Sequence, residues 1–150
     1  MKNEANIAKL RVAAKEVVKQ YELLHDTFAS ISSITQWHAI LEIHDHEKIN
    51  MKKLGEHLNI CKSAVSRHIR QLITKEICEI EIDTYDRRNK FITLTKKGLN
   101  FFNKTLYEIR KEIYHAVDTM SDQDFEIALK GLSVYAEALK NARAKRNKST

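Results

Sequence analysis

Apolar residues recur at helical spacing over residues 4–29, where Ile7, Leu10, Ala14, Val17, Val18, Tyr21, Leu24 and Phe28 share one side. Lys9, Lys15, Lys19 and Glu22 occupy the other, so the stretch predicts one long amphipathic helix. A Ser-rich break, Ser30-Ile31-Ser32-Ser33, precedes a second helix through about His44, capped by Ser33 or Thr35 and burying Trp37, Ile40 and Leu41. Asn50 can cap a short third helix, Met51 to Leu58, with Met51, Leu54 and Leu58 inward. The turn Asn59-Ile60-Cys61 leads to a fourth helix, roughly Lys62 to Lys75. Its apolar face is Val65, Ile69, Leu72 and Ile73, with Ala64 close to the preceding helix.

The period then changes from helical to alternating. Cys78, Ile80 and Ile82 fall on one face and Glu79, Glu81 and Asp83 on the other, and Phe91 to Thr95 alternates likewise. Thr84 to Lys90 is too polar to bury, so this segment predicts a two-stranded hairpin with an exposed tip that leans on the helices. Thr95 can cap a long fifth helix through Leu99, Phe102, Leu106, Ile109, Ile113 and Val117. Ser121 to Asp124 restarts a last helix with the stripe Phe125, Ala128, Leu129, Leu132, Tyr135, Ala136 and Leu139, before a basic tail, Lys140 to Thr150, expected to fray.

The expected class is therefore mainly α with a small β-hairpin wing: a winged helix-turn-helix with N- and C-terminal dimerisation helices. Its parts are an N-terminal helix (1–32), a DNA-binding region (33–98) and C-terminal helices with the tail (99–150), one structural domain per protomer. No proline and only 3 glycines suit such a helical chain. The terminal stripes flank a middle segment that has its own small core. Their expected cover is the same elements of a second copy, giving two reading heads about one two-fold axis.

Charge sharpens the picture. Residues 48–98 carry 12 Lys and Arg against 6 Asp and Glu, whereas the rest of the chain holds 14 of each. The whole formal excess of +6 thus sits on the segment that would face phosphate. Lys62, Ser63, Ser66, Arg67 and Arg70 lie opposite Val65, Ile69 and Leu72, and the first residues of such a helix reach base edges in helix-turn-helix proteins. Arg67 has the fork to bind a guanine bidentately. Asn50, Lys52, Lys53, Lys96 and Lys97 are expected to position phosphates. At the hairpin tip, Arg88 is expected in the minor groove, its guanidinium held by Asp86, with Arg87 and Lys90 on phosphate. A surface face with accidental charges is the bland reading of the same residues.

Other chemistry is sparse. No Gly-rich phosphate loop, no nucleophile with an obvious base and no paired carboxylates in a glycine-marked cleft argue for an enzyme, and no cofactor is called for. No window approaches the ~18 uninterrupted apolar residues of a membrane span. Met1 to Ala5 mixes charge of both signs ahead of no apolar run, unlike a secretion signal, and 2 cysteines make no disulfide scaffold, so a cytoplasmic protein without membrane partners is expected. Cys61, at a helix start beside Lys62, is a redox candidate with an expected lowered pKa; its bland reading is a small buried residue. Cys78 is expected to pack inside. His38, Glu42 and His46 are spaced i, i+4, i+8 and would suit zinc if the second helix lasted that far. His115 is the only further candidate on the fifth helix, so no metal site is expected.

In order, helix, helix and hairpin with Asp86-x-Arg88-x-x-x-x-x-Leu94-Thr95 resemble the MarR family of winged helix-turn-helix transcriptional regulators. The likeness extends over about residues 33–102: Thr35-Gln36, Leu54-Gly55, Ala64-Val65-Ser66-Arg67 and Leu94-Thr95-Lys96-Lys97-Gly98. It implies a homodimer built from terminal helices, binding double-stranded DNA at a pseudo-palindrome and often released by a small ligand, oxidation or metal. It also implies an effector pocket between the second helix and the dimer helices, where Trp37 and His38 would stand; Trp37 reads as core before it reads as ligand stacker. Members usually have Gly where Glu76 stands and often a capping Ser where Cys61 stands. Glu76 must therefore adopt another geometry or bear strain. Glu76, Glu79 and Glu81 also suit an alternative, a winged helix that binds protein instead of DNA.

Overall fold

The computed structural model describes residues 2–29 and 32–148. Its elements are α1 (Glu4–Phe28), α2 (Ile34–Asp45), β1 (Ile49–Asn50), α3 (Met51–Leu58), α4 (Lys62–Thr74), β2 (Cys78–Ile82), β3 (Lys90–Leu94), α5 (Lys96–Asp118) and α6 (Asp122–Lys148). They fall into two compact units, Met1–Ile109 and Arg110–Thr150.

Side-chain caps place the helix starts. Ser33 and Gln36 form a reciprocal capping box at α2, and the Asn50 carboxamide oxygen accepts from the Lys53 N–H at 2.9 Å to open α3. Ser121 Oγ accepts from the Asp124 N–H at 3.1 Å ahead of α6. α3 ends where Asn59 turns left-handed at φ 53°, a conformation its short polar side chain tolerates. Of the expected serine-rich break, Ser30 and Ile31 lie outside the described residues, as do Ser149 and Thr150 of the expected frayed tail. Up to Lys148 that tail is not frayed: it continues α6, since no proline or glycine interrupts Lys140 to Lys148.

The core lies in the first unit. Trp37, Ala39, Ile40 and Ile43 of α2 meet Leu54 of α3, Val65, Ile69 and Leu72 of α4, Ile77, Ile92 and Phe102. Each such side chain stabilises the fold by about 1.5–3 kcal/mol through burial. Trp37 stacks on Phe102 with ring centroids 5.8 Å apart and meets the edge of Phe101. Thr105 of α5 donates to the Phe28 carbonyl at the end of α1.

The wing has three strands where the sequence reading expected two. β1 pairs antiparallel with β3 through Ile49–Ile92 and Asn50–Phe91, and β2 covers the other edge of β3. β1 is too short for alternation to betray it, and it enters the sheet because Ile49 is buried beside Ile92. The inner face of β2 is also shorter than its alternation suggests. Cys78 is buried, but Ile80 and Ile82 stand 44% and 53% exposed where the hairpin outruns the helices beneath it.

Candidate nucleic-acid interface

The apolar residues of α4 decide which side chains face outward. Burying Val65, Ile69 and Leu72 turns Lys62, Ser63, Arg67 and Arg70 to the exposed side, with Ser66 half-buried at its margin. The helix-turn-helix is close-packed: a side chain at Gly55 would press on Val65 and on the Ile60 carbonyl. Gln71 of α4 accepts from the Gln36 carboxamide at 2.7 Å, tying the recognition helix to α2. His68 is partly buried, its Nδ1 has no partner, and burial, assisted by Arg67, lowers its pKa. A neutral imidazole there leaves the positive field of α4 to Lys62, Arg67 and Arg70.

The turn before α4 presents Cys61 as the N-cap, exposed and making no side-chain cap bond. Its thiol lies 3.2 Å from the Ser63 hydroxyl. That hydrogen bond foremost, then the Ala64 backbone N–H, lowers the thiol's pKa. The expected shift is present, but through the open helix end and Ser63 instead of Lys62, and the buried-packing reading of Cys61 does not hold. Cys78, in contrast, is buried and pushed up to about 12.

At the exit of α4 the chain meets the Glu76 problem directly. Glu76 is left-handed at φ 61°, so it takes the glycine-type geometry with a side chain in place. Its carboxylate holds Lys97 Nζ at 2.7 Å, and Thr95 Oγ1 donates to the Glu76 carbonyl at 2.6 Å. Lys97 is thus committed to Glu76 in the free protein, and its hydrogen bond and charge depress the Glu76 pKa. Gly98, the residue after Lys97, is required there, because any Cβ would collide with the Ile77 carbonyl. Asn50, expected on phosphate, spends its carboxamide oxygen on the α3 cap.

Between β2 and β3 the tip is organised by Asp83, which the sequence reading placed merely on the outer face of a strand. Its carboxylate accepts from the Tyr85 and Asp86 backbone N–H groups at 2.7 and 3.0 Å, and those bonds hold its pKa down. Asp86 repeats the device, accepting from the Arg88 backbone N–H at 3.0 Å while its carbonyl accepts from Asn89. The expected clamp of Asp86 on the Arg88 guanidinium is therefore absent: a side chain so close in sequence reaches the local backbone first. Arg87, Arg88 and Lys90 are exposed around this turn. Lys48 approaches Glu81 at 3.5 Å and the Phe91 ring at 5.3 Å, offsetting part of the wing's acidity.

Comparison with known proteins gives this geometry its context. A MarR family model matches residues 33–90. The HTH-type transcriptional regulator SarZ of Staphylococcus haemolyticus is 30% identical over 117 residues, 76% of each chain. The chain belongs to the MarR family. It is accordingly a DNA-binding transcriptional regulator of the winged helix-turn-helix class and not an enzyme. The fold is similar to that of Staphylococcus aureus MarR solved with salicylate and kanamycin, at TM-score 0.80 and 18% identity over 92% of this chain and 95% of that one. It is also similar to Streptococcus pneumoniae FabT solved in complex with DNA, at TM-score 0.77 and 21% identity over 93% and 99%.

Two other groups of residues singled out in the sequence belong neither to the exposed side of α4 nor to the wing tip. Trp37 and His38 stand on the wall of one apolar cavity with Val17, Tyr21, Leu41 and Ile109. His25, 4% exposed, lines the same cavity with a buried Nε2 that lacks a partner. The triad His38, Glu42 and His46 is not brought together. α2 ends at Asp45, His38 faces the cavity, and His57 of α3 takes the place beside Glu42. No signal in the sequence joins His57 to Glu42, because the two are neighbours only through the crossing of α2 and α3. No described helix is long and apolar enough to cross a membrane.

Proposed function

We propose that the protein is a homodimeric repressor that binds a pseudo-palindromic operator, with α4 in the major groove and the wing at the minor groove. The observation that carries this is the joint exposure of Lys62, Ser63, Arg67 and Arg70 on α4 and of Arg87, Arg88 and Lys90 on the wing. Both lie within the segment that holds the whole net charge of the chain. Lys62, Ser63 and Arg67 stand at the N-terminal part of α4, the part that reads base edges, with Ser66 at the edge of that surface. Lys52, Lys53 and Lys96 take phosphates. That FabT, a protein of the same fold, was solved in complex with DNA supports DNA binding here. Dimerisation is supported by Ile7, Leu10, Val18, Leu129, Leu132 and Leu139, each about half exposed on the terminal helices.

The trigger we favour is a small ligand carrying a polar group, held in the cavity walled by Trp37 and His38. Salicylate and kanamycin in the S. aureus MarR structure, and the orphaned His25 Nε2, support it. A second reading, release by thiol oxidation, is favoured by the exposure and lowered pKa of Cys61 at the start of α4. The protein-binding alternative loses weight because Glu76 and Glu81 are paired with Lys97 and Lys48.

In-vitro selection of bound duplexes tests the main reading, with an expected product of two inverted half-sites about one helical turn apart. A chain that is monomeric at micromolar concentration, or that ignores duplex DNA in dilute buffer, overturns it. Peroxide titration of DNA binding in wild type and Cys61→Ser tests the second reading, and equal loss in both ends it.

A further inference from the structure

Glu42 stands in the last turn of α2, His46 is that helix's C-terminal cap, and His57 lies in the last turn of α3. Each offers one ligand atom, and these atoms all lie within 4.8 Å of one another. His57 Nδ1 donates to Glu42 Oε2 at 2.6 Å, and His46 Nδ1 lies 3.7 Å from the same oxygen. The two imidazoles meet edge to face with centroids 4.9 Å apart. All three side chains are between 33% and 41% exposed, so an ion can enter from solvent.

We propose that Glu42, His46 and His57 form a binding site for a divalent transition metal of the zinc type. Two imidazole nitrogens and one carboxylate oxygen are the ligand set of three-protein-ligand zinc sites, with water in the fourth position. Bonds of about 2.1 Å put tetrahedral ligand atoms about 3.4 Å apart. Side-chain rotation reaches that spacing by opening the Glu42–His57 pair, now at 2.6 Å, and turning His46 Nε2 inward. The Nδ1–H of His46 donates to the Glu42 carbonyl at 2.8 Å, which fixes the tautomer and leaves Nε2 unprotonated for an ion, the outer-shell contact typical of metal-bound histidine. Coordination through His57 Nδ1 needs the proton now on that nitrogen to leave it, which the neutral ring achieves by tautomer exchange to Nε2. The C-terminal ends of α2 and α3 both face the site, and their partial negative charge favours a cation. The ion would brace α3, the first helix of the helix-turn-helix, against α2.

Titration of the full chain with cobalt(II), read by visible absorption, and competition with zinc test the site. The expected result is one tetrahedral cobalt band per chain, displaced by zinc, with the melting temperature raised roughly 5–10 °C at a zinc concentration one hundred times the dissociation constant. His46→Ala and His57→Ala abolish the band, and His38→Ala leaves it intact. Glu42→Gln separates coordination from packing: its amide oxygen still accepts from His57, so the metal-free protein melts as wild type while the band is lost. No band, or a band that survives loss of both His46 and His57, overturns the proposal. A Glu42→Gln protein that binds cobalt as tightly as wild type does the same.

Discussion

The reading head and the terminal helices are built on opposite terms. Between Ala29 and Phe102 the chain buries a continuous apolar cluster of its own. α6 buries no described residue, and α1 buries only His25, although both carry apolar stripes. A head that is folded by internal packing can hold α4 and the wing in fixed register. Helices whose stripes are still open have their largest remaining stabilisation in association. The same hydrophobic periodicity therefore serves two ends, and exposure distinguishes them.

Substitutions on the two sides should part most sharply in stability. Ile40→Ala in the head should cost about 2–5 kcal/mol in urea unfolding whatever the protein concentration. Leu132→Ala on α6 should instead weaken the proposed self-association, so that its effect on melting is absent in dilute protein and grows with concentration towards a limit. If both variants shifted stability equally and independently of concentration, the distinction between the two regions would be lost.

Within the head, Arg88→Ala should weaken operator binding about 10- to 100-fold in a gel shift at fixed salt, with an unchanged melting temperature. The wing turn is held by the Asp83 and Asp86 carboxylates on backbone N–H groups, none of which needs the Arg88 side chain. A drop in melting temperature with this variant would mean that the side chain holds the wing together.

Glu76→Gly should leave the melting temperature of the head close to that of the parent, because relief of a left-handed backbone is set against loss of an exposed ion pair and the greater freedom of glycine when unfolded. Its pH signature has a definite sign. The folded carboxyl is depressed by Lys97, so its contribution is present above the ordinary glutamate pKa and disappears as pH falls through the folded value. Lys97→Ala should therefore lower stability slightly at neutral pH and leave it unchanged in acid below the folded value, which flattens the acid limb of the stability curve. The smallest effect is reserved for Lys90→Ala, which should reduce the slope of log affinity against log salt by about 1 without changing site preference.

Local signals carried most of this fold. Asn50 and Asn59 bracket α3 at the residues expected, because a side-chain cap and a left-handed terminator act within one turn. The exposed side of α4 followed directly from Val65, Ile69 and Leu72. What escaped depended on tertiary meetings. β1 exists through Ile92, His57 joins Glu42 across a helix crossing, and Asp86 chose a backbone N–H over a guanidinium two residues away. Ile80 and Ile82 show the converse, an alternation read as an inner face that has little beneath it.

Asn50 sits at a junction: it pairs with Phe91 in the sheet and caps α3 with its side chain. Rotation of the sheet must therefore drag the start of the helix-turn-helix with it. Anyone re-targeting this protein could rewrite the outward side chains of α4 one by one. A transplanted wing, however, would have to arrive with Ile49 and Asn50 attached, since the residue that closes its edge also opens α3.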